Sequence, residues 1–354
     1  MTLNGRWRAL GELRTLGRMA LAAGTAAVAT LQSHVPAAYD HLEQFQAITD
    51  EHGDRAAGTE GYEASAQYVE RELQRAGYET TREYFTVETW DEEFESFSVI
   101  AELEGGDEGR NEDRDEDSVV MLGAHLDGVP GTAAINDNAS GAAALLETAQ
   151  RLAQEETPAT TVRFAWWGAE EIRGYPGSTD YVEELEEDDE LDSLAAYLNF
   201  DMLASPNHVV GVYDPRTAAR QTDDESDESD ESDESDEYSG LAVPEGSQAV
   251  MEVFTGYFAA EGQAWVPTSW NIESDQVAFA EAGVPVGGLF SGSYEDKSEA
   301  EAELFGGRAG APRDPNYHRP GDDLDNVDRQ VLELMTEAMA HAATTLSQDV
   351  GVLD

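Results

Sequence analysis

Polar side chains that can bind a metal ion or move a proton follow three apolar segments of the sequence, at 118–124, 161–167 and 195–200. In chain order they are His125 and Asp127, Glu170 and Glu171, and Asp201. Each of these residues alone would give weak support for a metal or catalytic site, because a strand-end histidine is usually structural and paired acids are usually solvated. The segments predict buried strands, however, and ligands of open α/β sheets bind at the carboxyl ends of strands. We therefore expect these side chains to converge.

Two later residues extend the set. Asp137 lies 12 residues after His125 in a sharp turn before a predicted helix, and His318 lies in a late loop. Histidine and carboxylate without sulfur suit hard-to-borderline divalent ions, and the number of carboxylates suits two metals rather than one. A bridging carboxylate can hold a hydroxide nucleophile between the ions while a free carboxylate takes the proton. The adjacent Glu170 and Glu171 would divide these tasks, one as base and one as ligand.

These residues lie in five motifs that recur in order in a known family. The chain resembles the co-catalytic zinc aminopeptidases typified by the bacterial secreted leucyl aminopeptidases, family twenty-eight of the metallopeptidases, from about residue 53 to about residue 346. The motifs are His125-Leu126-Asp127, Asn136-Asp137-Asn138-Ala139-Ser140-Gly141, Trp167-Gly168-Ala169-Glu170-Glu171, Asn199-Phe200-Asp201-Met202 and Tyr317-His318.

The resemblance implies two zinc ions per chain, bridged by Asp137. His125 and Asp201 would complete one metal site, and Glu171 and His318 would complete the other. The family pattern also implies catalytic roles for three residues beside the metals. These are Glu170 as general base, Tyr317 as a donor to the tetrahedral oxyanion, and Asp127 as the residue that orients His125.

Two details of the family pattern concern the backbone. The resemblance implies a cis peptide bond between Asp137 and Asn138. Secreted bacterial relatives often fix the His318 loop with a disulfide, whereas this chain contains no cysteine and has Asn316 and Pro320-Gly321 in that loop. The chain departs from the family pattern at this point, and the departure bears on how Tyr317 and His318 are held.

The elements that must position these residues alternate along the chain. Periodicity predicts strands at 80–87, 97–103, 118–124, 161–167, 195–200, 209–213 and 284–290. It predicts helices from Tyr39, over 62–73, 140–153, 178–185, 248–260 and 329–346, and a further segment at 274–282. This order predicts an α/β fold, a three-layer sandwich with a mixed, mostly parallel central sheet flanked by helices.

The predicted domain organisation is a leader at 1–35 and a single catalytic domain at 36–350. The leader carries four arginines and then an uncharged Ala-rich run at 19–31 with Ala27-Val28-Ala29, which resembles a signal peptide. An amphipathic leader helix and a misassigned start are equal alternatives, so secretion is only slightly favoured over a cytoplasmic location. A Ser-Asp-Glu repeat at 223–237, with 11 carboxylates and no apolar residue, predicts a disordered acidic insert at 222–238.

Composition excludes several functions. The 354 residues include 75 acidic and 20 basic side chains, which gives a net charge of −55. Such a chain repels nucleic acid and anionic lipid, so we expect neither as a partner. The absence of cysteine excludes thiol nucleophiles, disulfides and thiolate-bound zinc. The acid-rich, lysine-poor composition predicts a halophilic protein, the alternative being an ordinary acidic secreted one.

Two smaller features have open interpretations. Lys297 is the single lysine beside 19 arginines, so it has either a specific role near the pocket or none. Four aromatic residues are candidates for a specificity pocket, although core packing is their commoner use. They are Trp265, Trp270, Phe290 and Phe305.

The leading functional hypothesis is the removal of N-terminal amino acids from peptides by a monomeric zinc aminopeptidase. The first alternative is an acyltransferase like the glutaminyl cyclases, which share the fold and use one zinc with three ligands. Carboxypeptidase or deacetylase specificity is a second alternative, for which the sequence offers no clear arginine signature. A noncatalytic acidic binding protein on the same fold is the third.

We predict that folding and activity require salt on the order of molar. A Debye length of about 3 Å at 1 M salt suppresses the self-repulsion of a chain with this charge. Thermal unfolding and activity measured during stepwise dialysis test this. A melting transition and a rate that stay unchanged in dilute buffer would contradict it.

Overall fold

The computed structural model describes residues 37–90, 93–106, 118–218 and 240–353. Its strands are β1 Thr80–Glu88, β2 Glu93–Leu103, β3 Val119–His125, β4 Thr161–Trp167, β5 Leu194–Phe200, β6 Gly211–Tyr213, β7 Val266–Thr268 and β8 Val286–Phe290. Its α-helices are α1 Ala38–His52, α2 Glu60–Ala76, α3 Ser140–Leu152, α4 Pro176–Glu187, α5 Ser247–Glu261, α6 Gln276–Glu281, α7 Glu299–Phe305 and α8 Arg329–Gln348. The predicted leader and acidic insert lie outside the described residues.

The strands form one mixed sheet in the order β1-β2-β4-β3-β5-β8-β6-β7. The central strands β4, β3, β5 and β8 are parallel, whereas β2 joins β4, and β6 joins β8, in antiparallel pairing. Three central strands therefore end at the same edge as β3, whose last residue, His125, is level with Trp167 of β4. The predicted α/β class and the mixed sheet with a parallel centre are confirmed.

Alternation along the central strands separates two cores. On β3, Val120, Leu122 and Ala124 belong to the larger core, and Val119 and Met121 belong to the smaller one on the opposite face. Helices α1, α2, α3, α5 and α8 contribute to the larger core, and α4 and α6 contribute to the smaller one. Strands buried on both faces explain why the sequence shows continuous apolar runs there.

Helix α3 lies deepest in the larger core. Nearly all of its residues are buried, and its Ala142-Ala143-Ala144 run lets the backbone approach the sheet closely. Trp166 of β4 donates its indole N–H to the carbonyl oxygen of Ala142 at 3.0 Å. Because α3 begins directly after the turn that carries Asp137, its packing fixes the position of that turn.

The elements that differ from prediction lack a strong apolar pattern. Helix α7 contains no buried residue, and β7 is only three residues long, so neither has a periodic signal. Strand β2 begins four residues earlier than predicted, because the alternating segment from Glu93 pairs with β1 in an antiparallel hairpin. In the described part of the chain, no helix has the length and apolar composition needed to cross a bilayer.

We predict that Gly123→Ala destabilises the fold through the packing of β3. A Cβ at this position would lie 2.3 Å from the Tyr197 hydroxyl and 2.5 Å from the Trp167 indole nitrogen. Those atoms bond each other at 2.8 Å, so neither can retreat easily. Overpacking should lower the free energy of unfolding by about 1–3 kcal/mol, measured by denaturant titration.

The matched control is Gly256→Ala, in the exposed middle of α5, where a Cβ meets nothing within 4 Å. That change should be neutral or should stabilise by about 0.5–1 kcal/mol. Equal stability of the two variants would contradict the packing described for β3.

Candidate active site

The carboxyl ends of β3, β4 and β5 bring the first group of predicted residues together. His125 Nε2 lies 3.3 Å from an oxygen of Asp201 and 3.8 Å from an oxygen of Glu170. Donor atoms of these three residues lie within 4.8 Å of one another. All three are buried, so the group forms a compact polar cluster below the sheet edge.

Asp137 joins this group to the second histidine. One of its oxygens lies 3.3 Å from His125 Nε2, and the other lies 3.1 Å from His318 Nε2. His318 Nε2 also lies 3.1 Å from an oxygen of Glu171. The structure thus places two clusters, one on each side of a single carboxylate.

The turn Ile135–Ala139 presents Asp137 to both histidines. It contains a cis peptide bond between Asp137 and Asn138, as the resemblance implies. The amide oxygen of Asn138 accepts the N–H of Gly141 at 2.9 Å and the N–H of Met202 at 3.0 Å. The Asn138 amide N–H donates to the carbonyl oxygen of Phe200 at 2.9 Å. Asn138 therefore ties the turn to the start of α3 and to the end of β5.

The loop that carries His318 also holds the Asp137 turn. The carboxylate of Asp322 accepts the backbone N–H of Asn136 at 2.8 Å and that of Asp137 at 3.0 Å. Asn326 donates to Asp322 at 3.2 Å and to Asp314 at 2.9 and 3.1 Å. This network lies in the same loop as His318 and ties that loop to the Asp137 turn.

Asp127 contacts the glutamate pair more closely than it contacts His125. Its oxygens accept the backbone N–H of Glu170 at 3.1 Å and that of Glu171 at 3.3 Å. The shortest distance from Asp127 to His125 Nδ1 is 3.7 Å, beyond a direct hydrogen bond. Asp127 therefore fixes the backbone from which Glu170 and Glu171 point to different partners.

Arg55 holds the loop that follows β3 through its guanidinium group. It is fully buried and donates to the carbonyl oxygens of Leu126, Ala133 and Ala134. Burial lowers its pKa to about 10, with the carboxylate of Asp127 opposing that shift, so the guanidinium stays charged at neutral pH. Arg55 is a buried cation that binds the backbone between two predicted metal ligands, His125 and Asp137.

The electrostatics of the cluster fit a bound cation. Burial, with the charges of Asp201 and Glu171 adding to it, raises the pKa of Glu170 well above its usual range. Burial and the charge of Asp137 raise the pKa of Glu171 to about 7. His318, against the effect of burial, has its pKa raised to about 10 by Asp137 and Glu171. Carboxylates outnumber cations here, so the site retains protons.

The donor set fits divalent metal ions. A divalent cation would replace those retained protons and compensate the excess of buried carboxylate. Glu171 Oε1 and His125 Nδ1 are buried without a hydrogen-bond partner among the described residues, so Glu171 has an oxygen free for a ligand. Two histidines and several carboxylates without sulfur suit zinc and its neighbours.

An open cleft of about 1040 Å³ lies beside Tyr317. Its lining includes Val209, Ile272, Phe290 and Tyr294, with Glu273 also at its surface. Of the four aromatic residues predicted for a pocket, Phe290 alone lines this cleft.

The other three aromatic residues pack elsewhere. Trp270 is buried in the smaller core, and Trp265 and Phe305 pack against the larger core. The pocket interpretation is therefore wrong for those three, and core packing explains them.

Comparison with known proteins establishes the family. The sequence profile described as "Peptidase family M28" matches residues 98–343. The chain belongs to peptidase family M28. This confirms the resemblance that the five motifs indicated.

Two curated relatives of this M28 protein have names that state an activity. A probable lipoprotein aminopeptidase of Mycobacterium tuberculosis is 42% identical over 258 residues, which cover 73% of this chain and 47% of that protein. Leupeptin-inactivating enzyme 1 of Streptomyces exfoliatus is 37% identical over 314 residues, which cover 88% of this chain and 62% of that protein. The chain thus spans about half to three fifths of the length of these two relatives.

Solved structures share the fold of this M28 chain at low identity. A zinc aminopeptidase from Bacillus subtilis gives a TM-score of 0.65 at 15% identity, covering 89% of this chain and 96% of that one. A glutaminyl cyclase from Porphyromonas gingivalis gives 0.60 at 14% identity, covering 88% and 97%. These similarities establish the architecture and do not separate the two activities.

Sequence reasoning missed three residues that hold the site. Arg55 lies in a Gly-punctuated turn, where nothing in the pattern distinguishes a buried arginine from a solvated one. Asn138 lies inside the motif at 136–141, and its position next to Asp137 is the signal that could have identified it. Asp322 follows His318 by four residues, but in a chain with 75 acidic residues a single aspartate carries little information.

We predict that Asp322→Asn weakens metal binding at the Asp137 turn. An asparagine side chain has one acceptor oxygen, so one of the two backbone N–H groups loses its partner. Loss of such an outer contact typically costs about 10–100-fold in metal affinity or activity. Zinc affinity by chelator competition measures the effect.

Asp325→Asn is the matched control, because it makes the same chemical change three residues away on an exposed side chain. If both variants bind zinc as the wild type does, the Asp322 contacts do not hold the turn in a way that metal binding requires.

Proposed function

We propose that this M28 chain is a zinc aminopeptidase that removes N-terminal residues from peptides with two metal ions. The observation that carries the proposal is Asp137, whose two oxygens face His125 at 3.3 Å and His318 at 3.1 Å. One carboxylate shared between two histidine-containing clusters is the arrangement that a bridged metal pair requires. The aminopeptidase name of the Mycobacterium tuberculosis relative supports the same activity.

The ligand assignment follows the two clusters. His125 and Asp201 would hold one ion, Glu171 and His318 would hold the other, and Asp137 would bridge them. When bound, the ions would polarise the scissile carbonyl and lower the pKa of water. Asp137 suits the bridge, because His125 and His318 outweigh burial and hold the pKa of Asp137 below its usual range.

Glu170 is the proposed general base. Its side chain lies 3.8 Å from His125 Nε2 and its backbone is fixed by Asp127, so the carboxylate faces the cluster. In the proposed assignment Asp137, rather than Glu170, is the third ligand beside His125 and Asp201. It would accept a proton from the attacking water and deliver it to the leaving amine. Burial, which raises the pKa of Glu170, favours holding that proton between the two steps.

Tyr317 is the proposed donor to the oxyanion. Its ring stacks on His318 with centroids 3.8 Å apart, which places it beside the cluster. Burial and the surrounding carboxylates, Asp137 first among them, raise the pKa of Tyr317 above its usual range. The phenol therefore keeps its proton at neutral pH and can donate a hydrogen bond to a developing negative charge.

The cleft beside Tyr317 is the proposed site for the N-terminal side chain. The free amine would lie near Glu170 and Asp201. The cleft is lined by apolar residues such as Ile272 and Phe290 and by polar ones such as Thr268, which supports an uncharged side chain. The exposed carboxylate of Glu273, with the charge of −55, disfavours an acidic one. The proposed substrates are peptides that have a free N-terminal amine and an uncharged N-terminal side chain.

The cyclase alternative shares the fold, and the ligand count argues against it. A cyclase-like site needs one zinc and three ligands, whereas all five residues of the two-metal set are present here. Assaying one zinc-loaded preparation for release of N-terminal leucine and for cyclisation of N-terminal glutamine separates the two activities. Cyclisation without amino-acid release would overturn the proposal.

We predict that Glu170→Gln and Glu171→Gln lower the activity in different ways, the first through turnover and the second through zinc binding. Glu170→Gln keeps the proposed metal ligands but cannot accept a proton, so turnover should fall roughly 10²- to 10⁴-fold with a small change in substrate affinity. Glu171→Gln removes a ligand, so zinc stoichiometry should fall and added zinc should partly restore the rate. Each variant serves as the control for the other, because the same change is made one residue apart.

Metal analysis beside steady-state kinetics decides between the roles. Loss of zinc from Glu170→Gln with two ions retained in Glu171→Gln would reverse the assignment. Near-normal turnover in both variants would contradict a two-zinc peptidase.

A further inference from the structure

Residues 293–314, the wall segment, form one side of the cleft beside Tyr317. The segment leaves the sheet after β8 and closes on itself where the N–H of Asp314 donates to the carbonyl oxygen of Ser293 at 2.7 Å. Tyr294 and Arg313 of this segment line the cleft. The Tyr294 and Tyr317 rings lie 5.8 Å apart, so the position of the wall segment bears directly on the cleft.

Polar contacts attach the wall segment to the loop after β5. Asn207 donates its side-chain N–H to the carbonyl oxygens of Arg308, Ala311 and Pro312 at 3.0–3.2 Å. Helix α7, which lies within the segment, has no buried residue. Phe305 packs against the larger core, but the contacts of the segment with the loop after β5 are hydrogen bonds, and each one matters more than it would in a packed core.

Lys297 makes the deepest of these contacts. Its ammonium group donates to the carbonyl oxygen of His208 at 2.6 Å, and the residue is 1% exposed. Its own backbone N–H donates to Ala311 at 2.9 Å, and its carbonyl accepts from Gly310 at 2.8 Å. One residue thus joins the two sides of the wall segment to each other and to the loop beneath.

The space around the ammonium group explains why this residue is a lysine. A Cβ on Gly307 would lie 3.0 Å from Lys297 Nζ and 2.2 Å from the side-chain oxygen of Asn207. The Phe305 ring closes another side, with its centroid 5.8 Å from Nζ. A planar guanidinium is larger than an ammonium group and needs several acceptors in a plane. The chain uses arginine at 19 other positions, and this space accepts the compact cation.

We propose that Lys297 is a positioning residue for substrate selectivity. By fixing the wall segment to His208, it keeps Tyr294 against Tyr317 and so sets the width of the cleft that receives the N-terminal side chain. The inference rests on the proposed aminopeptidase activity for its substrate. The attachment itself can be tested without that activity.

The test compares Lys297→Met with Arg308→Met in the salt that keeps the wild type folded. Both variants remove one positive charge from the wall segment, but Arg308 is exposed, and among the described residues its side chain has no hydrogen-bond or ion-pair partner. Hydrogen exchange of the amides in residues 293–314 should be faster in Lys297→Met and unchanged in Arg308→Met. Equal exchange in the two variants overturns the inference, whatever their activity.

Kinetics with N-terminal leucine and N-terminal alanine substrates test selectivity. In Lys297→Met the ratio of kcat/KM for leucine over alanine should fall roughly tenfold. The fall should come from a higher KM for leucine, because the wall segment no longer fits the larger side chain. The zinc content and kcat for alanine should stay at wild-type values. A lower melting temperature with an unchanged ratio would show a merely structural lysine and overturn the proposal.

Lys297→Arg tests whether the space around the ammonium group requires lysine. Its ratio of kcat/KM for leucine over alanine should fall as it does in Lys297→Met. Wild-type selectivity in this variant would overturn the claim that the space requires lysine. The wild type is assayed beside each variant. A zinc-loaded wild type that releases neither residue would overturn the proposed function, and hydrogen exchange would then decide the role of Lys297 alone.

Discussion

The position of one carboxylate, that of Asp137, determines the geometry of the site. Its two oxygens face two histidines that come from elements nearly 200 residues apart in the chain, a strand end and a late loop. A carboxylate in that position must be held by its backbone, because both of its oxygens face the histidines. Asn138 anchors the turn on the α3 side, and Asp322 anchors it on the side of the His318 loop. The packing of α3 against the sheet places this assembly at the carboxyl edge.

The same constraint explains where the protein concentrates buried charge. Seven aspartates and glutamates around the site are buried: Asp127, Asp137, Glu170, Asp201, Asp275, Asp314 and Asp322. Buried carboxylates are costly unless hydrogen bonds or cations compensate them. Backbone N–H groups compensate Asp127 and Asp322, and the histidines compensate Asp137. The remaining excess lies around Glu170 and Glu171, where a divalent cation would compensate it.

Much of this could be predicted from the sequence, for a specific reason. Central strands are buried on both faces and end abruptly at polar residues, so His125, Glu170, Glu171 and Asp201 stand out from their surroundings. Their convergence follows from parallel pairing alone. Several supporting contacts could not be predicted, because they pair a side chain with a distant residue through backbone atoms that carry no sequence signal. Arg55 donates to three carbonyl groups, and any sequence at those positions would offer the same acceptors.

Two buried cations illustrate how a chain with a net charge of −55 uses the few basic residues that it has. Arg55 lies where three carbonyl groups of the loop between β3 and the Asp137 turn converge, and its planar fork can reach all of them at once. Lys297 reaches a single carbonyl group in a space bounded by Gly307 and Phe305, which suits a compact ammonium group. The geometry of the acceptors, rather than the need for positive charge, therefore decides which cation each site uses. Both cations bind backbone on loops that flank the active site, because loop carbonyl groups lack the partners that a sheet or a helix would supply.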